Sequence, residues 1–265
     1  MWPPRAITYR HPMVSLWQRL ALNTTVMLLA VATAGCGAGN QKNLSPVPTG
    51  SLLHVPVQDG GTVRITAVGC GGTSTGAGWI FRREYVMTAA HVVAGSTSIT
   101  ATLAVANHLA HLIYFNAALD VAILFVPTLQ TPTLATRPLP IAPGYPQRGS
   151  IGYLIGGNPY GDGYGSGPPY GTVGVGVRGV ESMTTKNIYG TANITRTMIL
   201  LSASFVEGDS GAPIVNTKGQ VIGMALDTVP AKQPTALAIP ATTLISISRT
   251  PRTTNIGSGP CIPGH

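Results

Sequence analysis

The stretch Phe205 to Val215 reads F-V-E-G-D-S-G-A-P-I-V and sets a serine, Ser210, between Gly208 and Gly211. Glycines there let the backbone turn tightly, with the N–H groups of Gly208, Asp209 and Ser210 on one side. A hydroxyl beside such donors suits acyl transfer, because charge develops on the carbonyl oxygen only as the hydroxyl attacks. The same residues also suit an ordinary loop between strands, so the presence of a base decides. Val86 to Ala94, V-M-T-A-A-H-V-V-A, runs from a short apolar strand into a small-residue turn carrying His91. Histidine is the usual general base because its pKa lies near neutrality. In Ala118 to Val126, A-L-D-V-A-I-L-F-V, Asp120 opens an otherwise apolar strand. A carboxylate buried there is costly unless a donor meets it, and an imidazole N–H is such a donor. Asp162, in a flexible loop, and Asp227, after a strand, compete for the same role.

These three residues need a scaffold of short strands. The chain has 265 residues, 44% of them hydrophobic, which is enough for a proper core. Only 9% are charged, while Gly and Pro number 33 and 22, which favours turns and strands over long helices. From Thr62 the residues alternate as in a half-buried strand. Gly76 to Phe81 and Arg82 to Thr88 read as two strands joined by a charged turn, a hairpin that delivers His91. Ser98 to Val105, His108 to Phe115 and Val121 to Val126 complete six short strands, as in a small Greek-key barrel. Pro127 to Pro146 holds six prolines and reads as a connection rather than sheet. A second group follows at 150–155, 172–180, 197–202, 212–215, 220–226 and 236–239, with a closing helix over 242–248. The Gly/Tyr/Pro-rich loop from Gly156 to Gly171 reads either as a plain connection or as a rim over a cleft.

Residues 1–35 have the features of an export signal: Arg10 and Arg19 precede an apolar stretch, Leu20 to Ala34, too short to span a bilayer comfortably. Met13 is an alternative start. Thr33 to Cys36, T-A-G-C, resembles the lipobox of bacterial lipoproteins, which implies acylation of Cys36; simple cleavage near Ala34 and a retained signal anchor are the alternatives. Residues 36–52 then form a flexible tether. The formal charge of +8 draws three of its units from Arg5, Arg10 and Arg19 in the leader, and no basic run remains to track a nucleic acid.

His91, Asp120 and Ser210 stand in the chymotrypsin-type order, in the contexts T-A-A-H, D-x-A and G-D-S-G. From about Val63 to Cys261 the chain resembles a trypsin-like serine protease. G-N-P-Y-G at 157–161, G-Q-V-I-G at 219–223 and A-L-A-I-P at 236–240 are similar to the HtrA-type branch. A further likeness is to the mycobacterial periplasmic acid-resistance serine proteases, including the segment from Ile188 through Thr195 to Gly208.

The resemblance implies an all-β fold of two perpendicular six-stranded Greek-key barrels with a short C-terminal helix. The protease domain would cover 53–265, with barrels near 53–130 and 145–250. It implies a Ser210–His91–Asp120 triad, an oxyanion hole at Gly208, Asp209 and Ser210, and a substrate pocket formed by Ser204, Glu207, Ala236 and Ala238. It also implies a Cys70–Cys261 disulfide, which with a lipidated Cys36 accounts for the odd cysteine count. No I-V-G-G start is present, so Asp209 must find a partner other than a new N-terminus or remain near solvent.

No cofactor or metal is implied, and His54, His108, His111 and His265 lack the spacing of metal ligands. The expectation is an exported, monomeric endopeptidase of the cell envelope or periplasm. It would act on protein or peptide substrates, bind no nucleic acid and meet the membrane through a lipid on Cys36. The rival reading is a non-catalytic, protease-like lipoprotein that binds an envelope partner.

Overall fold

The computed structural model describes residues 61–103, 106–129, 137–156, 172–229, 235–249 and 254–262. All belong to the second of the two units into which the chain divides, Leu44–His265. The leader, the tether, Cys36, His54, Asp162, His265 and the loop from Gly157 to Gly171 lie outside the described residues.

The first six strands are β1 (Thr62–Gly69), β2 (Gly72–Arg82), β3 (Tyr85–Thr88), β4 (Ser96–Leu103), β5 (Ala106–Asn116) and β6 (Val121–Phe125). They close into a barrel in the order β1-β2-β3-β6-β5-β4. Alternation sets the faces: Val63, Ile65 and Ala67 of β1 point inward and join Trp79, Met87, Ile99 and Leu124 in one core. A short turn of 3-10 helix, Pro127–Leu129, follows β6. The proline-rich connection meets both barrels: Leu139 N–H donates to the Ile80 carbonyl of β2 at 2.8 Å, and Ile141 forms an isolated parallel bridge to Val221.

The second barrel holds β7 (Ile151–Ile155), β8 (Thr172–Lys186), β9 (Asn193–Ser202), β10 (Pro213–Val215), β11 (Val221–Val229) and β12 (Thr235–Pro240). It closes in the order β10-β11-β12-β9-β8-β7. The expected closing helix is present as α2, Ala241–Ser248, with Ala241, Leu244 and Ile247 buried. The sequence reading of two six-stranded barrels with a short C-terminal helix therefore holds.

Two strands run further than their apolar pattern indicates. β8 extends to Lys186 and β9 starts at Asn193, pairing as a hairpin from Glu181↔Met198 to Lys186↔Asn193. This extension is mostly Thr, Ser and charged residues, and apart from Met198 at its base and the half-buried Met183 it has no continuous inward face. Backbone pairing and contacts such as Thr184 Oγ1 to Thr195 Oγ1, 2.9 Å, hold it instead.

After α2 the chain returns to the first barrel. Ile256 N–H donates to the Leu112 carbonyl at 2.8 Å, and Gly95 N–H donates to that of Ser258 at 3.0 Å. Cys261 is joined to Cys70, in the turn between β1 and β2, by a disulfide across 191 positions of sequence. In the chain-entropy account a loop of that length gives at most about 5 kcal/mol, reduced by structure in the unfolded state.

Candidate active site

His91 sits in a single helical turn, α1 (Ala90–Val93), directly after β3. Ala90, Val92 and Val93 are buried and pin the turn, leaving the imidazole on its open side, 28% exposed. No side chain of the adjoining Ala89 caps this turn. The cap comes from Asp120, whose Oδ1 accepts the His91 N–H at 2.9 Å while Oδ2 meets the ring Nδ1 at 2.8 Å. One carboxylate thus fixes both the backbone and the ring of the same histidine. This is the pairing expected from sequence, and Asp227 does not share it: its Oδ1 accepts the Thr228 N–H at 2.6 Å.

Asp120 reaches His91 from a tight loop between β5 and β6. Asn116 Oδ1 accepts the N–H groups of Ala118 and Leu119 at 3.0 and 2.9 Å, an Asx-type turn. The turn delivers Asp120 at φ +58°, a left-handed conformation that aspartate tolerates better than most residues. Burial works against a proton on His91. The charge and hydrogen bond of Asp120, aided by Asp227, outweigh it and hold the imidazole pKa above its ordinary value, while Arg196 pulls the other way.

Ser210 belongs to the connection between β9 and β10. Its carbonyl accepts the N–H of Ala77 in β2 at 2.9 Å, a backbone link between the barrels. Beside it, Gly211 lies against the Ala77 carbonyl, Thr88 Oγ1 and Ala89 N, two to three residues before His91. Gly76 stands between the Ser210 carbonyl and Val92. The nucleophile's backbone is thus wedged against the segment that carries the base. The Ser210 hydroxyl donates to the Leu226 carbonyl at 3.2 Å rather than to His91, so a rotation about χ1 precedes any proton transfer to the imidazole.

The expected trio of oxyanion donors is reduced to two. Asp209 N–H donates to the Val206 carbonyl at 3.0 Å, and Gly208 lies at φ +95°, the signature of a type II turn over 206–209. That turn consumes the Asp209 donor and leaves those of Gly208 and Ser210 without an acceptor among the described residues. Of the two expectations for the Asp209 side chain, the structure takes the first, another partner: it is 4% exposed, with Oδ2 accepting the Val206 N–H at 2.8 Å. Burial raises its pKa to about 6, against the opposing pull of that amide.

A buried acid with a raised pKa stabilises the fold in its protonated form. The contribution is full below the unfolded value near 3.8 and is lost as pH rises through about 6. Asp209→Asn keeps an oxygen for the Val206 N–H and cannot ionise. Urea unfolding at pH 4 and pH 8 should therefore show the variant gaining about 2–3 kcal/mol on wild type at the higher pH. A difference that does not change with pH would contradict this account.

The four residues expected to line a pocket fall into two groups. Ala236 and Ala238, on one face of β12, are fully buried, whereas Ser204 and Glu207 are exposed in the β9–β10 connection. Between Ser204 and Glu207, Phe205 is tied to β11, its N–H donating to Thr228 Oγ1 at 2.8 Å. Leu226, Thr228 and Arg196 border the site and were not singled out from sequence; Asp227, weighed there as a rival to Asp120, borders it without taking that role. Among the described residues no group of three or more His, Cys, Asp or Glu is placed to hold a metal ion.

A sequence profile described as the trypsin-like peptidase domain matches residues 76–224, more than half of the chain and all three of these segments. The chain belongs to this family. Among its relatives are the serine proteases Rv3671c and MT3772 of two Mycobacterium tuberculosis strains, each 28% identical over 202 residues and 76% of this chain. The trypsin-like peptidase described here spans about half the length of these relatives, 48%. Its fold superposes on the active form of the Rv3671c protease with a TM-score of 0.71 at 25% identity, covering 86% of this chain and all of that one. The HtrA-type protease AlgW with tripeptide shares the fold, with a TM-score of 0.58 at 22% identity, over 74% of this chain and 61% of that one. The family is one of peptidases, and both mycobacterial relatives are named serine proteases.

Proposed function

We propose that this chain is an exported serine endopeptidase in which Ser210 is the nucleophile, His91 the general base and Asp120 the residue that orients it. The observation that carries the reading is the double contact of Asp120 with His91, 2.9 Å to the backbone N–H and 2.8 Å to Nδ1. With Nδ1 so engaged, Nε2 is the free basic nitrogen. Once Ser210 Oγ turns from the Leu226 carbonyl, it attacks the scissile carbonyl carbon as its proton passes to Nε2. The oxyanion is met by the Gly208 and Ser210 N–H groups. His91 then gives that proton to the departing amine, and water repeats the sequence on the acyl-enzyme.

The Cys70–Cys261 bond supports a location in an oxidising compartment outside the cytoplasm. The leader and Cys36 supply export and a lipid anchor in this reading, with the monomer held at the cell envelope and acting on proteins or peptides. Labelling by a fluorophosphonate probe, abolished in Ser210→Ala, tests the chemistry. A folded wild-type protein that takes up no label would instead be a protease-like binding protein.

Specificity in this reading rests on Ser204, which is exposed in the β9–β10 connection and offers no carboxylate to hold Arg or Lys; Ala236 and Ala238 are buried in the second core. Cleavage of a peptide library should favour small or medium apolar residues before the scissile bond. A profile dominated by Arg or Lys at that position would refute the assignment of these residues.

A further inference from the structure

The β8–β9 hairpin leaves the second barrel and ends on the first. Beyond Ala238↔Ile199, where β9 last pairs with β12, it runs on by itself towards the loop that carries Asp120. Ile188, at its tip, donates its N–H to the Ala117 carbonyl at 3.2 Å. Arg196, on its β9 limb, donates from Nη1 to the Ala118 carbonyl at 3.2 Å. Two successive carbonyls just ahead of Leu119 and Asp120 are therefore held from the opposite barrel. Asn116 holds the N–H groups of Ala118 and Leu119 from within.

Arg196 is an unusual choice for such a clamp. It is half-buried, and its Nε is enclosed without a hydrogen-bond partner. Burying a guanidinium so incompletely satisfied costs free energy that an apolar residue would not incur. Burial holds the guanidinium pKa below its ordinary value, and the charge of the neighbouring Asp120 carboxylate, which favours the cation, offsets only part of that cost. The same cation acts on His91 against Asp120 and Asp227, the two acids that act on the imidazole.

We propose that Arg196 is a positioning residue, fixing from the second barrel the Asp120 loop that grips His91 and setting a permanent positive charge beside that loop. The proposal rests on His91 and Asp120 serving Ser210 as described above. The hydrogen bond to Ala118 keeps Asp120 at its left-handed φ, where both carboxylate oxygens reach the histidine. The charge offsets part of the Asp120 and Asp227 field, so His91 gives up its proton at lower pH and remains a base in more acidic solution. The clamp also makes the histidine's setting depend on contact between the barrels.

The test compares Arg196→Met, Arg196→Lys and a surface control, Lys218→Met, in the full chain. Arg196→Met should lower kcat by about tenfold or more through misplacement of Asp120, with a smaller change in KM. It should also move the acidic limb of the kcat/KM profile to higher pH. Arg196→Lys keeps the charge without the fork, so its acidic limb should stay near that of wild type while kcat falls. Lys218→Met should match wild type in both.

If Arg196→Met keeps the wild-type kcat and acidic limb, Arg196 is a structural cation and the proposal is wrong. Titration of the His91 ring by NMR reads the same effect without turnover, and a midpoint unmoved in Arg196→Met also overturns it. Should wild type fail to take the fluorophosphonate label, the catalytic reading fails on its own account. The ring titration then still decides the role of Arg196.

Discussion

Ser210→Ala, or His91→Ala, should cut peptide hydrolysis by about 10^4- to 10^6-fold in kcat, and combining the two should cost little more than either alone. The reason is that hydroxyl and imidazole act as one unit. Without Oγ there is no nucleophile to deprotonate, and without the imidazole a serine hydroxyl is a poor nucleophile near neutral pH. The residual rate would come from substrate binding and the Gly208 and Ser210 donors. Both variants should fold, since the Ser210 side chain makes one hydrogen bond, to Leu226, and the His91 ring one, to Asp120. Single-turnover assays beside thermal melts separate lost chemistry from lost structure. Turnover of Ser210→Ala at the wild-type rate would remove the assignment.

The second large effect is expected one residue further on. Gly211 has φ +89°, and a Cβ there would fall on the Ala77 carbonyl oxygen and within 2.7 Å of Thr88 Oγ1 and 2.9 Å of Ala89 N. Two of those three atoms are backbone, so relief requires moving β2 or the start of α1. Gly211→Val should therefore cost more than about 4 kcal/mol, the range reserved for overpacked or strained core positions. It should also abolish activity by prising apart the link from Ala77 to Ser210. Gly208 is the internal comparison. It has an equally positive φ, +95°, but nothing lies within 4 Å of an added Cβ. Gly208→Ala should cost only the left-handed backbone penalty, about 1–2 kcal/mol. Equal stability losses at the two positions in denaturant melts would show that space at the barrel junction is not what requires Gly211.

What the sequence made legible follows from where side chains bury. Val63, Ile65 and Ala67 alternate against a core, so β1 and the other barrel strands could be read from period two. The contexts T-A-A-H, D-x-A and G-D-S-G marked the three segments that meet. The outer parts of β8 and β9 carry no such pattern, and with them Arg196 escaped notice. Its partner is a backbone carbonyl 78 positions away, which no local spacing encodes. Asp209 shows a different limit. Its place between glycines indicates a turn, but which N–H the turn uses internally depends on where it starts, and a turn beginning at Val206 takes the Asp209 donor. In sequence Asp227 reads as a rival to Asp120 just after a strand, and Thr228 carries no signal. Their position beside Phe205 and His91 arises only once β11 is threaded between β10 and β12.

The connectivity of the two barrels has a consequence for ancestry. Taken from their first strands, one runs β1-β2-β3-β6-β5-β4 and the other β7-β8-β9-β12-β11-β10, the same plan executed twice. His91 lies between the third and fourth strands of the first copy, and Ser210 between the third and fourth strands of the second. An internal duplication would thus have given two equivalent loops, one of which came to hold the proposed base and the other the proposed nucleophile. Neither half contains a working pair, so on this reading the chemistry came into existence with the fusion, as a property of two inert modules facing each other.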